Sequence, residues 1–205
     1  LPLRYYQHEA VQAVERALAE GQRSILLAMA TGTGKTRTCI ALCYRLIKHK
    51  RFRRILFLVD RTSLGDQAGD SFEGTKLEQQ MSFNDICGLM RIETPFPDDE
   101  TDLHIATIQG MVHRLMGDGE GSEKFPVDTY DCVVVDECHR GYNLDREMSE
   151  AEQTFRSEAD YVSKYRRVLD HFDAVKIGLT ATPALHTTDI FGDPVYTYGY
   201  RRAVV

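Results

Sequence analysis

Ile25-Leu26-Leu27-Ala28, followed by Thr31-Gly32-Thr33-Gly34-Lys35-Thr36, is the stretch on which the fold of this 205-residue chain turns. The short, wholly apolar run predicts a strand buried on both faces. Gly32 and Gly34 predict a tight loop, because they tolerate positive φ and let the backbone approach a ligand closely. A helix starts near Lys35, with Cys39, Ile40, Cys43, Leu46 and Ile47 recurring on its inner face. Strand, glycine loop and helix N-terminus together bring unpaired backbone N–H groups onto one point, which makes an anion site. Lys35 can reach the β and γ phosphates of a nucleotide, and the Thr36 hydroxyl can ligate Mg²⁺. The strict form of this pattern has Gly where this chain has Met29.

A second stretch complements the first. Cys132-Val133-Val134-Val135 reads as another buried strand, and Asp136-Glu137-Cys138-His139 follows it directly. Two carboxylates at the C-terminal end of such a strand need a cation beside them. Asp136 is placed to hold Mg²⁺ directly or through water, and Glu137 to orient and deprotonate an attacking water.

The pattern repeats along the chain. A helix is predicted over Tyr6–Ala19, with Ala10, Val14, Ala17 and Leu18 on one face and Gly21 as its stop. Ile55–Val59 reads as a strand ending at Asp60, and Thr62 as the cap of a helix running to about Phe72. From Glu73 to Asp102 the periodicity fades, and Thr94–Asp99 has the prolines and charges of a surface loop. Leu103–Thr107 is predicted as a strand, Ile108–Met116 as a helix, and Gly117–Ser122 as a flexible excursion. A charged helix near Ser149–His171 precedes a strand at Val175–Leu179. Short apolar strands alternating with helices predict an α/β fold, a mostly parallel central sheet covered on both faces.

Composition limits the rest. Apolar content of 42% and charged content of 27% suit one globular domain spanning 1–205. There is no apolar run long enough to cross a membrane and no signal peptide. The five cysteines form no CxxC pair and read as reduced thiols of a cytoplasmic protein. The histidines show no zinc-ligand spacing. Net charge is −6, so composition alone does not mark a nucleic-acid binder. Acidic residues collect at Asp98–Glu100 and Glu147–Glu158. Arg45, Lys48, Lys50, Arg51, Arg53 and Arg54 form a basic cluster that reads either as a solvated helix exit or as a phosphate-backbone contact. The absence of an initiator methionine suggests an excised domain.

The order of these segments resembles the first motor lobe of superfamily 2 helicases and translocases, a RecA-like three-layer P-loop domain. Ala30 to Thr36 matches motif I, and helicase-type loops relax the position occupied by Met29. Leu58–Thr62 looks like motif Ia and Ile105–Gly110 like motif Ic. Asp136–His139 matches motif II, and Gly178-Leu179-Thr180-Ala181-Thr182-Pro183 matches motif III. Leu3-Arg4-Tyr5-Tyr6-Gln7 resembles the adenine-recognition motif upstream of motif I. Particular spellings look most like the R (restriction, HsdR) subunit of type I restriction-modification enzymes: Met29–Thr36, Phe57–Arg61, Val135–Tyr142 and Pro194–Tyr198.

That resemblance implies ATP and Mg²⁺ as cofactors and double-stranded DNA as partner. It also implies methylation and specificity subunits in the complex, and a DNA-associated, prokaryotic cytoplasmic setting. It implies that Gln7 reads the adenine edge with support from Arg4, and that Thr31, Gly32, Thr33, Gly34, Lys35 and Thr36 bind the phosphates. Lys35, Asp136 and Glu137 would be catalytic, with Thr36 and Asp136 on the metal. His139, Thr180 and Thr182 would couple nucleotide state to domain movement, and Arg61 and Thr107 would touch the DNA backbone rather than bases. The second lobe with its arginine finger, and the nuclease domain, are expected outside this stretch. The chain alone is therefore expected to bind nucleotide weakly and turn it over slowly. Two other functions remain open on the sequence: a strand-separating DNA or RNA helicase, and a nucleotide-gated module that does not hydrolyse.

Overall fold

Seven strands form one sheet, every neighbouring pair parallel, in the order β3-β4-β2-β5-β6-β1-β7. They are β1 (Ser24–Met29), β2 (Ile55–Val59), β3 (Leu89–Met90), β4 (Leu103–Thr107), β5 (Cys132–Val135), β6 (Val175–Thr180) and β7 (Pro194–Tyr198). The computed structural model describes residues 1–60, 62–78, 81–91, 96–116, 125–138 and 158–203. The predicted excursion at Gly117–Ser122 lies outside the described residues, as do parts of the Thr94–Asp99 loop and of the Ser149–His171 helix.

Alternation along the strands sorts side chains into two layers. Ile25, Leu27, Phe57, Val59, Ile105, Val134, Ile177 and Leu179 face helices α1 (Tyr5–Ala19), α2 (Lys35–Lys48) and α3 (Thr62–Gly74). Leu26, Leu56, Leu58, Ala106, Val133 and Val135 face α5 (Ile108–Met116), α6 (Glu158–His171) and α7 (Leu185–Phe191). The central strands are buried on both faces, which is why they read as unbroken apolar runs rather than alternating ones. Each such Leu or Phe contributes about 1.5–3 kcal/mol by leaving water.

Several boundaries differ from the sequence prediction. Thr62 is the first residue of α3 rather than its cap. Gly21 does stop α1: at φ 82° it lets Gln22 donate its N–H to the Ala17 carbonyl, 3.0 Å away. The faint region after α3 contains the one-turn helix α4 (Phe83–Ile86) and the two-residue edge strand β3. The sequence reading assigned no strand to Pro194–Tyr198, which adds β7 to the other edge, beside β1. No helix among the described residues is long and apolar enough to cross a membrane.

Candidate functional site

Because all strands are parallel, the loops after β1, β2, β4, β5 and β6 emerge at one edge of the sheet, where ligands bind in open α/β folds. β6 lies between β1 and β5. The phosphate loop and the carboxylates are therefore not on adjacent strands, and their side chains meet across the end of β6.

The loop at Thr31–Gly34 turns on two left-handed glycines, Gly32 at φ 80° and Gly34 at φ 77°. Thr33 is buried, and its hydroxyl donates to the Ala30 carbonyl at 2.6 Å. Gln7 braces the loop from α1. Its side-chain amide donates to the Thr33 carbonyl at 3.0 Å and to the Gly34 carbonyl at 3.3 Å, while its oxygen accepts from the Arg4 backbone N–H at 3.0 Å. A Cβ on Gly34 would sit 2.7 Å from that amide nitrogen, so position 34 needs glycine for contact as well as for φ.

Lys35 opens α2 and is buried. Its ammonium lies 3.2 Å from Glu137, the side chains being 7% and 21% exposed. Glu137 itself has φ 50°, in the left-handed region that residues other than glycine seldom adopt. The turn that imposes it is pinned by neighbours. Asp136 donates its N–H to the Leu58 carbonyl at 3.2 Å, and Cys138 donates to the Leu179 carbonyl at 2.9 Å. Asp136 also accepts from the Glu137 N–H at 2.9 Å. The motif II turn is thus tied to both β2 and β6.

Thr36, Asp136 and Glu137 line one cavity of about 180 Å³, whose far wall is α3 through Leu64, Gln67 and Ser71. A hydroxyl and carboxylates form an all-oxygen donor set that suits a hard cation. Mg²⁺ takes one or two protein oxygens and completes its shell with phosphates and water. Among the described residues there is no cluster of three or more His, Cys, Asp and Glu suited to a metal. A second cleft, about 440 Å³, opens on the other side of the loop and is lined by Leu3, Arg4, Gln7, Gly32, Gly34 and Arg37 among others. The site residues on motif I, motif II and the Gln7 segment therefore converge on one end of the sheet.

Thr180 is fully buried and its hydroxyl accepts from the Thr182 N–H at 3.1 Å, closing the turn after β6. Thr107 is half-buried and its hydroxyl accepts from the Gly110 N–H at 2.9 Å, so it caps α5. Arg61 and His139 lie outside the described residues. The basic cluster at Arg45–Arg54 is at the opposite edge of the sheet and is engaged within the chain. Arg45 pairs with Glu15, Lys48 with Glu78, and Arg53 with Asp131. Arg51 and Arg54 donate to the backbone carbonyls of Leu18 and Thr101, each at 3.0 Å. These side chains tie neighbouring elements together while Arg45, Lys48 and Arg53 stay 42–65% exposed.

Sequence reasoning missed what lies beneath the loop. Tyr6 stacks on Tyr198 with centroids 4.1 Å apart, and its hydroxyl donates to the Thr33 carbonyl at 3.2 Å. Ala30 donates its N–H to the Tyr198 carbonyl at 2.9 Å, which attaches the start of the loop to β7. The Val-Tyr-Thr-Tyr alternation at 195–198 was the available signal for that strand.

Comparison with known proteins agrees with this geometry. The family model "Type III restriction enzyme, res subunit" matches residues 1–185. The endonuclease subunit of the type I restriction enzyme EcoKI from Escherichia coli (strain K12) is 60% identical over 205 residues, covering 100% of this chain and 17% of that protein. A structure described as a fragment of an HsdR subunit of a type I restriction enzyme from Vibrio vulnificus YJ016 superposes with TM-score 0.63 at 25% identity, over 98% of this chain and 31% of the other. The ATP-dependent type ISP restriction-modification enzyme LlaBIII, bound to DNA, gives TM-score 0.67 at 19% identity, over 100% of this chain and 16% of that one. This chain thus spans about a sixth of the length of its EcoKI relative. With a RecA-like sheet and a glycine loop and paired carboxylates at one end of it, the chain belongs to the family described as type III restriction enzyme, res subunit.

Proposed function

We propose that this chain is the first, ATP-hydrolysing motor lobe of a double-stranded DNA translocase, within the R subunit of a type I restriction-modification enzyme. One observation carries the reading. Thr36, Asp136 and Glu137 line one cavity, with Lys35 paired to Glu137, in a chain so similar to a type I endonuclease subunit.

In this account the backbone N–H groups of residues 32–36 hold the phosphates of ATP, and Lys35 swings from Glu137 to the β and γ phosphates. Thr36 and Asp136 would hold Mg²⁺, which supplies neutralisation of charge on the β and γ oxygens. Glu137, once released, orients the attacking water and takes its proton. Gln7 already uses both amide N–H groups on the loop. Reading the adenine edge bidentately means giving up one of them, and the 3.3 Å bond to Gly34 is the weaker. Base recognition and loop shape are thereby linked, with Arg4 supporting the base end.

Thr180 and Thr182, through the turn they close, and His139 would pass the state of the site to a second lobe. Arg61 and the α5 start at Thr107 would face the DNA backbone. A second RecA-like lobe would complete the site with an arginine, a contribution of about 10³–10⁵ in rate, so this lobe alone would turn over slowly. Nuclease chemistry and the methylation and specificity subunits would belong to the rest of a cytoplasmic bacterial complex. The test is steady-state ATP hydrolysis by the whole subunit carrying Glu137→Gln or Asp136→Asn. Loss of turnover by about 10²-fold or more supports the reading, whereas unchanged turnover fits a module that does not hydrolyse.

A further inference from the structure

Arg37 is the one residue lining both clefts that flank Gly34 whose side chain carries a fixed positive charge. It borders the cleft of about 440 Å³ shared with Arg4 and Gln7. It also borders a second cleft of about 520 Å³ shared with Thr36 and the end of α3. It sits two residues after Lys35, in the first turn of α2, and is exposed. Among the described residues, no carboxylate or carbonyl lies within hydrogen-bond distance of its guanidinium. That contrasts with Arg45 and Arg53, which are held in ion pairs. A Cβ on Gly34 would stand in ordinary contact, 3.9 Å, with the Arg37 Cβ, so the two residues border the same entrance.

A planar, permanently charged group held over an open cleft beside an amide that can read a purine edge suits one ligand surface in particular, the face of an aromatic base. Guanidinium groups stack on such faces, and the stack depends on planarity as well as charge. We infer that Arg37 closes the base end of the nucleotide site by stacking on the face of the nucleobase whose edge Gln7 reads. The inference rests on the reading of this site as a nucleotide site. It adds a binding residue that acts on the base and not on the phosphates. Lys35 then holds the phosphate chain, Gln7 selects the base edge, and Arg37 supplies affinity that any purine face can draw on.

The test is equilibrium binding to the whole subunit of two probes, a non-hydrolysable ATP analogue and inorganic triphosphate, each with Mg²⁺. Arg37→Met is expected to weaken the ATP analogue by about 5–30-fold, equivalent to about 1–2 kcal/mol, while changing inorganic triphosphate by less than about twofold. Arg37→Lys, which keeps the charge and loses the plane, is expected to recover only a small part of that loss. If Arg37→Lys binds the analogue as wild type does, or Arg37→Met weakens both probes equally, Arg37 is a phosphate cation and the inference is overturned. Unchanged analogue binding in Arg37→Met overturns it as well. Lys35→Ala separates this failure from failure of the site. If it weakens neither probe, the nucleotide site itself is misassigned and the inference falls with it.

Discussion

Glu137→Gln should tighten nucleotide binding even as it stops hydrolysis. Glu137 and the Lys35 ammonium are 3.2 Å apart and largely buried. At that separation, with an effective dielectric of about 20, their attraction is about 5 kcal/mol. Desolvating two ions offsets most of it, and about 1–2 kcal/mol remains for the incoming phosphates to overcome. Glutamine keeps the shape of the side chain and removes its charge, so Lys35 is released before ATP arrives. Affinity for a non-hydrolysable ATP analogue is then expected to rise by about 5–30-fold. Isothermal titration of the wild-type and Glu137→Gln subunits measures this directly. Repeating it at high salt should leave most of the gain, because a pair this buried is poorly screened. Unchanged or weaker binding in Glu137→Gln would refute the claim that the pair competes with the nucleotide.

Three further outcomes follow from particular contacts. Gln7→Ala removes the amide that braces the phosphate loop and leaves the buried Thr33 carbonyl with the Tyr6 hydroxyl as its remaining donor. It should lower stability by about 0.5–1.5 kcal/mol in urea unfolding and reduce the preference for ATP over GTP; a variant unchanged in both would contradict the bracing role. Gly178→Ala places a Cβ 3.0 Å from the Cys138 sulfur and from the Phe191 ring. The overpacking should cost about 1–3 kcal/mol, part of which Cys138→Ala should restore when combined with it in the same unfolding assay. The five cysteines are all buried and free. Burial pushes the Cys39, Cys43, Cys132 and Cys138 thiols up, and Cys87 up to about 12. In the unfolded chain they ionise near the ordinary value of 9.0. Below that pH both states hold neutral thiols and stability is complete. Above it the unfolded chain alone loses protons, so the urea midpoint should fall progressively as pH rises from about 9 toward 12. An aromatic disulfide reagent at pH 8 should label the thiols only after denaturation.

The sheet was legible because its strands are buried on both faces. Ile55–Val59 and Cys132–Val135 announce themselves as apolar runs, and Gly32 and Gly34 mark the loop between β1 and α2 by their backbone freedom. Lys35, Thr36, Asp136 and Glu137 lie at or just past strand ends, so local signals alone place them at one end of the sheet. What the sequence hid is pairwise. The Lys35–Glu137 contact depends on β6 lying between β1 and β5, and strand order is not written in local periodicity. The Tyr6–Tyr198 stack joins residues from opposite ends of the chain. β3 has two residues, and β7 is a half-exposed edge, so neither has the apolar signature of the centre. The basic cluster is pairwise too. Its charges looked available until the structure gave Arg45, Lys48 and Arg53 carboxylate partners from elsewhere in the chain.

The central claim is that this site turns ATP hydrolysis into movement along duplex DNA. The most direct measurement is the ATPase rate of the whole subunit with duplex DNA, with single-stranded DNA and with RNA. The account predicts strong stimulation by duplex and little by the other two, because backbone contacts near Thr107 and Arg61 would follow a duplex of any sequence. Equal stimulation by single strands or RNA would contradict it in favour of a strand-separating helicase, and no hydrolysis with any of the three would contradict it altogether.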